Sequence, residues 1–147
     1  MATEQLVPYN AETIPPDVAR AIEIYEIQLG RVQSGQVAEE VFTEFRLRHG
    51  VYGQRDEGSQ MIRVKIPYGG LDADQLEILA DIGEEFSDCI IHITTRQDVQ
   101  YHYVDINNTP ELMRRLAAVG ITTQEACGNV VRNVTACPLS GVCNDET

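Results

Sequence analysis

The chain has 147 residues, of which 43% are hydrophobic, and it carries a formal net charge of −12 at pH 7. This length suits one domain with a buried core, and the acidic balance argues against nucleic acid as the main partner, because contacts to phosphates need a basic surface. The sequence has no apolar run of about 18 residues and no basic start followed by an apolar stretch, so we expect a cytoplasmic protein with no membrane partner.

Two helices are predicted before residue 49. The motif Pro15-Pro16-Asp17 precedes apolar residues at spacings of three and four, which predicts a helix that ends near Ser34-Gly35. A second helix is predicted from Val37 to Leu47, stopping at His49-Gly50. We expect residues 1–48 to form an N-terminal helical extension that packs on the main domain.

The segment after residue 59 predicts a strand followed by a helix. Residues 60–66 alternate in polarity, so β-branched residues lie on one face while Arg63 and Lys65 project side by side from the other. Asp72 and Gln75 form a capping box at the start of the helix, flanked by the apolar pair Leu71 and Leu76. The buried stripe of this helix is predicted to contain Leu76, Leu79, Gly83 and Phe86.

A β-hairpin is predicted over residues 91–103, with its turn centred near Arg96 and Gln97. Its odd positions are apolar and would pack on a core: Ile91, Ile93, Val99, Tyr101 and Tyr103. Its even positions are polar and share the other face: His92, Thr94, Gln100 and His102. The polar face suits a bound anion, although an ordinary half-solvated hairpin would show the same alternation.

The last predicted helix completes the fold class. Thr109-Pro110 begins it and Gly120 ends it, with Leu112, Leu116 and Val119 facing inward. The order β-α-β-β-α predicts an α+β, ferredoxin-like half-domain over residues 49–122, with helices on one face of the sheet and the other face open to a ligand. Residues 123–147 have no clear period, and we expect them to be the truncated start of a longer segment.

The cationic residues are almost all arginine. Ten of the eleven are Arg and the other is Lys65, which favours planar, permanently charged donors. Five cluster along the sequence and predict a local site for a small anion: Arg46, Arg48, Arg55, Arg63 and Lys65. Arg63, Lys65, Arg96 and Arg132 would repel one another if they converged, so convergence would imply a bound anion. The alternative is that each of the four pairs with one of the 23 acids.

Four cysteines lie at positions 89, 127, 137 and 143. Without a secretory signal we expect reduced thiols rather than disulfides. The spacing of the last three differs from the short pairs of zinc ribbons, so no metal site is predicted from this chain alone. A nucleophilic pair of Cys137 with His92 or His102 would need only proximity in space, but no local motif marks a nucleophile.

Four motifs resemble those of one family. They are His49-Gly50-Val51-Tyr52-Gly53-Gln54-Arg55, Met61-Ile62-Arg63-Val64-Lys65-Ile66-Pro67-Tyr68-Gly69-Gly70, Thr94-Thr95-Arg96-Gln97-Asp98-Val99-Gln100-Tyr101-His102, and Cys127-Gly128-Asn129-Val130-Val131-Arg132-Asn133-Val134-Thr135-Ala136-Cys137-Pro138-Leu139. Over roughly residues 45–143 the chain resembles the N-terminal ferredoxin-like half-domain of the sirohaem-dependent nitrite/sulfite reductases and the first residues of their sirohaem-binding domain. Several motifs in order are more specific than any one alone.

The resemblance implies roles for particular residues. Arg63 and Arg132 match arginines that hold the substrate oxyanion, and Lys65 lies on the same strand face, so these three are the catalytic candidates. The cofactor-binding candidates, which match positions contacting the macrocycle or its carboxylates, are Arg96, Gln100, His102 and Asn133. The family reduces nitrite to ammonia or sulfite to sulfide with sirohaem bridged to a 4Fe-4S cluster, so these are the cofactors of the complete enzyme.

The resemblance also implies what this chain lacks. The four cysteines of the family's cluster lie in the second half of the complete enzyme, and Cys127, Cys137 and Cys143 do not match their spacing. We therefore expect an N-terminal fragment that is inactive alone. Its partners would be the remainder of the reductase, nitrite or sulfite, and ferredoxin or a flavoprotein as electron donor. The alternative is a stand-alone, non-catalytic module that binds an anionic tetrapyrrole or oxyanion, or regulates a reductase.

Overall fold

The computed structural model describes residues 11–56 and 58–144. Its regular elements are α1 (Pro16–Gln33), α2 (Glu39–Arg48), β1 (Val51–Gly53), β2 (Ser59–Val64), α3 (Ala73–Phe86), β3 (His92–Ile93), β4 (Val99–Asp105) and α4 (Thr109–Ala118). The predicted order β-α-β-β-α is present in β2 to α4. No helix in the described ranges is long and apolar enough to cross a membrane.

The first two helices share the core of the sheet domain. Pro16 occupies the first turn of α1, where a missing N–H costs nothing, and Ile22, Tyr25 and Leu29 form the buried stripe of the helix. This stripe packs mainly on α4. The predicted end of α1 is confirmed within one residue, whereas α2 begins at Glu39, two residues later than predicted.

The four strands form one antiparallel sheet in the order β1-β2-β4-β3. The predicted alternation of β2 is confirmed, because Ile62 and Val64 are fully buried while Arg63 lies on the opposite, partly exposed face. Tyr101 of β4 is also buried, and its hydroxyl donates to the carbonyl of Leu79 in α3 (2.8 Å). The fold is therefore α+β and ferredoxin-like, with the helices on one face of the sheet.

The hairpin departs from the predicted alternation at both ends. β3 contributes only His92 and Ile93, and Ile93 is 83% exposed rather than packed on the core. Between Tyr101 and Val104 the strand β4 has an extra residue relative to β2, and Tyr103 has φ +58°. Because a bulge moves the alternation by one residue, Val104 is buried and Tyr103 faces solvent.

The turn of the hairpin is centred on Arg96, as predicted. The Gln97 N–H donates to the Thr94 carbonyl (3.0 Å), and the Thr94 N–H donates to the Asp98 carbonyl (2.8 Å). The central residues are therefore Thr95 and Arg96, and Gln97 follows with φ +62°. This is a three-residue hairpin connection that ends in a left-handed residue.

The capping box of α3 is confirmed, but its predicted buried stripe is wrong at one position. The Asp72 carboxylate accepts from the Gln75 N–H (2.8 Å), and the Gln75 side chain accepts from the Asp72 N–H (3.1 Å). Leu76 is 58% exposed, and Ile82 is fully buried in the core. The buried face of α3 therefore includes Ile82 and excludes Leu76, because the helix packs against both the sheet and α4.

Residues 123–144 contain no helix or strand, as the sequence predicts. They begin against Gly50, which has φ +77° and lies so close that an added Cβ would sit 2.5 Å from the Thr123 carbonyl oxygen and 2.7 Å from that of Arg63. Any larger residue there would push the segment away from the sheet. Gly50 thus allows the C-terminal segment to approach the polar face.

Candidate functional site

The polar face of the sheet is partly covered by the segment of residues 126–136, which we call the strap. The Arg63 guanidinium donates to the Ala126 carbonyl (3.5 Å), and the Lys65 ammonium donates to the Val131 carbonyl (3.3 Å). The prediction of an open face is therefore wrong in this respect. The cations of β2 contact backbone carbonyls of the strap and remain near the surface.

Asn133 ties the strap to the hairpin. Its side-chain NH₂ donates to the carbonyls of Ile66 (2.6 Å) and Arg96 (3.0 Å), and the Arg96 guanidinium donates back to the Asn133 carbonyl (2.7 Å). Asn133 is 4% exposed, and its side-chain oxygen is buried without a hydrogen-bond partner in the described part of the chain. A buried acceptor without a donor is costly, and a donor group brought by a ligand would satisfy it.

Arg63 and Gln100 face each other across β2 and β4. With the amide oriented so that both of its ends are satisfied, the Gln100 oxygen accepts from Arg63 Nε (2.9 Å) and Nη2 (2.5 Å). The guanidinium is thereby held in one orientation by a neutral group. Its positive charge stays uncompensated by this contact.

His102 lies on the same face, farther along β4. Its Nδ1 is 3.0 Å from the side-chain nitrogen of Gln54, and its ring centroid is 4.6 Å from that of His92. Burial lowers the pKa of His102, the neighbouring His92 lowers it further, and Asp88 raises it. The His102 imidazole therefore remains a neutral donor and acceptor more readily than an isolated histidine would.

The three arginines converge on one buried acid, Asp98. This residue is 1% exposed, and its carboxylate accepts from the Ile66 N–H (3.4 Å). Burial raises the pKa of Asp98, while Arg63, Arg132 and Arg96 each lower it. Strand β2, the hairpin turn and the strap thus bring all three guanidinium groups within electrostatic range of one carboxylate.

Cys127 lies near the same charged groups, Arg63, Arg132 and Asp98. Burial raises the pKa of its thiol, Arg63 and Arg132 lower it, and Asp98 raises it. Arg132 itself is exposed, and no hydrogen bond or ion pair of its side chain is found within residues 11–56 and 58–144. The structure thus brings Arg132 to the same region as Arg63 although the two residues lie far apart in sequence.

The cations of this face have few acidic partners. Lys65 is 3.9 Å from Glu125, while Arg63, Arg96 and Arg132 have no carboxylate within 4.0 Å in the described ranges. The alternative that all four cations pair with surface acids is therefore wrong for the arginines. We call Arg63, Lys65, Arg96 and Arg132 the cationic cluster.

The five cations that cluster in sequence do not form one site. Arg46 donates to Gln60 beside β1, and Arg48 pairs with Glu44 one helical turn away (3.1 Å). Arg55 is exposed in the loop between β1 and β2. Only Arg63 and Lys65 of that set reach the polar face, because the intervening loop reverses the chain direction.

The cysteines form no metal centre in the part of the chain that the structure describes. All four are free thiols, and no group of three or more His, Cys, Asp and Glu side chains could hold a metal ion there. Cys127 is buried, whereas Cys137 is exposed at the far end of the strap. No hydrogen bond joins Cys137 to His92 or His102 among these residues.

Comparison with known proteins identifies the fold. Residues 52–119 match the family described as "Nitrite/Sulfite reductase ferredoxin-like half domain". The solved structure of the Mycobacterium tuberculosis NirA protein matches with a TM-score of 0.70 and 30% sequence identity, over 97% of this chain and 30% of that one. The chain belongs to the nitrite/sulfite reductase family. The cationic cluster lies on the sheet of this half domain and on the segment that follows it.

Relatives of this half domain carry names of both reductases. A sulfite reductase [ferredoxin] of Mycobacterium tuberculosis is 38% identical over 66% of this chain and 20% of its own length. An assimilatory ferredoxin-dependent nitrite reductase of Haloferax mediterranei is 33% identical over 68% and 19%, and a ferredoxin–nitrite reductase of Synechococcus elongatus is 40% identical over 58% and 17%. The chain thus spans about a fifth of the length of the curated relatives it matches.

Two surface cavities flank the junction between β2 and α3 in the half domain. One of about 530 Å³ lies between Tyr68 and Ile93 and is reached by Asp98 and Cys137. The other, of about 510 Å³, begins at Lys65 and extends along the start of α3. The Tyr68 N–H donates to the Val134 carbonyl of the strap (2.7 Å), so the strap forms part of the rim between them.

Three supporting residues were not predicted from the sequence. Asp98 lies beneath the arginines, Gln97 makes two hydrogen bonds of 2.9 Å with the backbone of Ala136, and Gln54 contacts His102 and the Tyr103 N–H. The sequence signal for Asp98 was one acid in a hairpin otherwise made of cations, amides and hydroxyls. Gln97 and Gln54 have no signal of their own, because their partners lie far away in sequence.

Proposed function

We propose that this chain forms the N-terminal part of a sirohaem and 4Fe-4S nitrite or sulfite reductase. In that enzyme it would contribute oxyanion-binding and cofactor-binding side chains, and it is inactive alone. The observation that carries the proposal is the cationic cluster, whose arginines have no carboxylate partner within 4.0 Å in the described ranges. Grouped guanidinium groups without acids repel one another, and an anion between them would relieve that repulsion.

The donor set of the face fits a tetrapyrrole with carboxylate arms. Arg96 and Arg132 supply charged donors, Gln100 and Asn133 supply amides, and His102 supplies an imidazole. The buried, unpartnered side-chain oxygen of Asn133 also fits a ligand that brings a donor to the strap. Sirohaem and the cluster, when bound, would supply the electron-transfer chemistry.

The roles of the catalytic candidates follow from their positions. Arg63 is held by Gln100 with its charge uncompensated, and Lys65 extends from the same face of β2. Together with Arg132 they would bind nitrite or sulfite and stabilise negative charge on its oxygens as bonds to oxygen break. Lys65 also carries mobile protons that could reach a departing oxygen, whereas the arginines keep theirs.

The partners of the complete enzyme follow from the names of the relatives. These are ferredoxin-dependent nitrite and sulfite reductases. We propose ferredoxin as the electron donor, nitrite or sulfite as the substrate, and the remainder of the reductase as the part that supplies the cluster ligands. Within the domain boundaries proposed here, residues 1–48 are the helical extension, 49–122 the half domain and 123–147 the start of the sirohaem-binding segment.

A stand-alone module remains the second candidate because α1, α2 and the half domain share one buried core. Such a chain could bind a tetrapyrrole or oxyanion without catalysis. A sirohaem titration followed by visible absorbance separates the two. Saturable binding by this chain alone favours the module, whereas binding that appears only after the remainder of the reductase is added favours the enzyme part.

The binding residues are tested by the double variant Arg96→Ala with Arg132→Ala. It is studied as the chain alone or together with the remainder of the reductase, whichever binds sirohaem. We expect affinity to fall at least about tenfold, because each hydrogen bond to a charged group contributes about 1.5–3 kcal/mol. The matched control is Arg20→Ala with Arg31→Ala, which removes the same charge from the exposed side of α1. Equal weakening by both double variants would contradict a specific site.

Activity of the chain alone is the third measurement. With sirohaem and a chemically reduced dye as electron donor, we expect no consumption of nitrite or sulfite, because no group in the described residues could hold the metal cluster. Turnover by the isolated chain would contradict the proposal that it is one part of a larger catalyst.

A further inference from the structure

Asp98 is the buried acid of the anion site, and the proposed chemistry does not use it. Its carboxylate accepts from the Ile66 N–H (3.4 Å), and Asn133 donates to the carbonyl of the same residue (2.6 Å). Asn133 in turn is joined to Arg96 by two hydrogen bonds. The carboxylate is therefore fixed within the network that positions the cationic cluster, and its charge interacts with those of Arg63, Arg96 and Arg132.

A fixed negative charge at this place acts unequally on anions of different charge. The Coulomb energy between two groups is proportional to the product of their charges. One carboxylate near the site therefore repels a dianion with twice the energy of its repulsion of a monoanion in the same position. Because affinity depends exponentially on energy, the factor for a dianion is the square of the factor for a monoanion.

We propose that Asp98 sets the charge preference of the anion site, weakening the binding of dianions more than that of monoanions. This inference rests on the proposed anion-binding function of the face. Asp98 is a positioning and charge-setting residue, since its carboxylate bonds to the Ile66 N–H and reaches the anion through its field. The substrate class it favours at neutral pH is a singly charged oxyanion.

The charged groups around Asp98 come from every element packed on it. Arg63 extends from β2, Arg96 from the hairpin turn, Arg132 and Cys127 from the region of the strap, and Lys65 from the end of β2. Burial raises the pKa of Asp98, and the three arginines oppose this by favouring its charged form. Protonation of Asp98 would remove the negative charge that disfavours dianions. The preference of the site for monoanions over dianions should therefore weaken as pH falls.

The test compares sulfate with perchlorate, which share a tetrahedral shape and differ in charge. Affinities of the full chain are measured by NMR from the amide shifts of β4 at constant ionic strength and about pH 7. The variant is Asp98→Asn, whose side-chain oxygen can still accept from the Ile66 N–H. The matched control is Glu77→Gln, which makes the same change in net charge at an exposed position of α3.

We expect Asp98→Asn to strengthen the binding of both anions, and the factor for sulfate to be the square of the factor for perchlorate. An increase of about threefold for perchlorate would accompany about ninefold for sulfate. Glu77→Gln should change neither affinity by more than about 1.5-fold, because a charge exposed on the other side of the sheet is screened. Equal factors for the two anions, or no change in Asp98→Asn, would overturn the inference and leave the anion site standing.

Binding of neither anion by the wild-type chain would overturn the proposed anion site, and this inference with it. A second measurement keeps the inference testable if Asp98→Asn does not fold. In the wild-type chain, the ratio of sulfate affinity to perchlorate affinity should rise as pH falls. The chemical shift of the Ile66 amide follows protonation of Asp98, because that N–H donates to the Asp98 carboxylate. His102 also gains charge on acidification, so the rise in the affinity ratio must follow the Ile66 signal rather than the imidazole signals. A ratio that follows only the imidazoles would contradict the inference.

Discussion

The same residue type has opposite surroundings in two regions of this molecule. On α4, Arg115 contacts Glu85 and Glu111 and lies over the ring of Phe86 (4.9 Å), and Arg114 contacts Glu26 and Glu111. On the polar face of the sheet, Arg63 and Arg96 contact carbonyls and an amide, and Arg132 is exposed. Within residues 11–56 and 58–144, no carboxylate comes within 4.0 Å of them.

This difference separates a structural use of arginine from a binding use. The arginines of α4 join three helices, so their charges are neutralised inside the fold. The arginines of the sheet are oriented by neutral acceptors, which fix the guanidinium planes and leave the charge available to an external anion. In a chain of net charge −12, the absence of acids beside them in the described ranges marks this face more clearly than the number of cations does.

The largest expected effect is on stability, from Arg115→Ala. Its side chain is 15% exposed, and removing it takes this partner from Glu85, takes one of two arginine contacts from Glu111 and removes the contact with Phe86. We expect the free energy of unfolding to fall by about 2 kcal/mol, between the values typical of exposed and buried ion pairs. Chemical denaturation measures it.

Arg114→Ala provides the matched comparison one residue away. Its side chain is 29% exposed, so the loss should be smaller, about 1 kcal/mol or less. If Arg115→Ala destabilised the chain no more than Arg114→Ala, the structural role assigned to Arg115 would be wrong.

The next effect is on the strap, from Asn133→Ala. This change leaves the carbonyls of Ile66 and Arg96 without the donor that now satisfies them. We expect a loss of about 1 kcal/mol in global stability and a larger loss of local protection, because the Asn133 amide makes two of the hydrogen bonds that hold the strap against the hairpin and Ile66. Hydrogen exchange should quicken at the N–H groups of Tyr68 and Ala136, which bond to the strap or lie on it.

Asn129→Ala is the control for the strap, since Asn129 is exposed on the same segment. It should leave the exchange of both N–H groups unchanged. If the two variants behaved alike, docking of the strap would not depend on the amide of Asn133.

A smaller effect is expected from Arg132→Ala. This guanidinium is exposed near other cations, so its removal should change the free energy of unfolding by less than about 0.5 kcal/mol, with a slight gain favoured by relief of repulsion. Thermal unfolding beside Arg115→Ala would show the contrast directly. A loss above about 1 kcal/mol would mean that Arg132 is a structural residue like those of α4.

The fold was largely predictable because it depends on local patterns. Three elements could be predicted from only a few residues each: α1 from its apolar spacing, the start of α3 from the capping box at Asp72, and β2 from its alternation. The exceptions arise where tertiary contacts override local ones. A bulge exposes Tyr103, and Leu76 faces solvent because Ile82 packs into the core instead.

The sequence indicates candidate members of the site but not their arrangement. Residue type and family motifs indicated Arg63 and Arg132, but only the folded strap brings them near each other. Asp98 has no periodic signal, and its importance depends on burial under a segment more than twenty residues away. Partners at such separations cannot be read from spacing.

The smallest effect expected is on the titration of the polar face. Burial, and then the charge of His92, lower the pKa of His102 from its ordinary 6.5. In His92→Gln the repulsion is gone and burial remains, so the pKa of His102 should rise and stay below 6.5. NMR titration of the ring proton measures it. The pKa of His49, which burial lowers on the helical side, should not change in this variant.

The titration of His102 also predicts that the polar face of the sheet and α4 differ in how their stability depends on pH. Because folding favours neutral His102, the unfolded chain binds more protons as pH falls below 6.5, and the contribution of His102 to stability is lost through that window. No histidine lies on α4. Protection of the β4 amides should therefore weaken from pH 7 toward 5 while that of the α4 amides holds, apart from the part due to His49. Equal loss in both regions would assign the acid sensitivity to His49 alone.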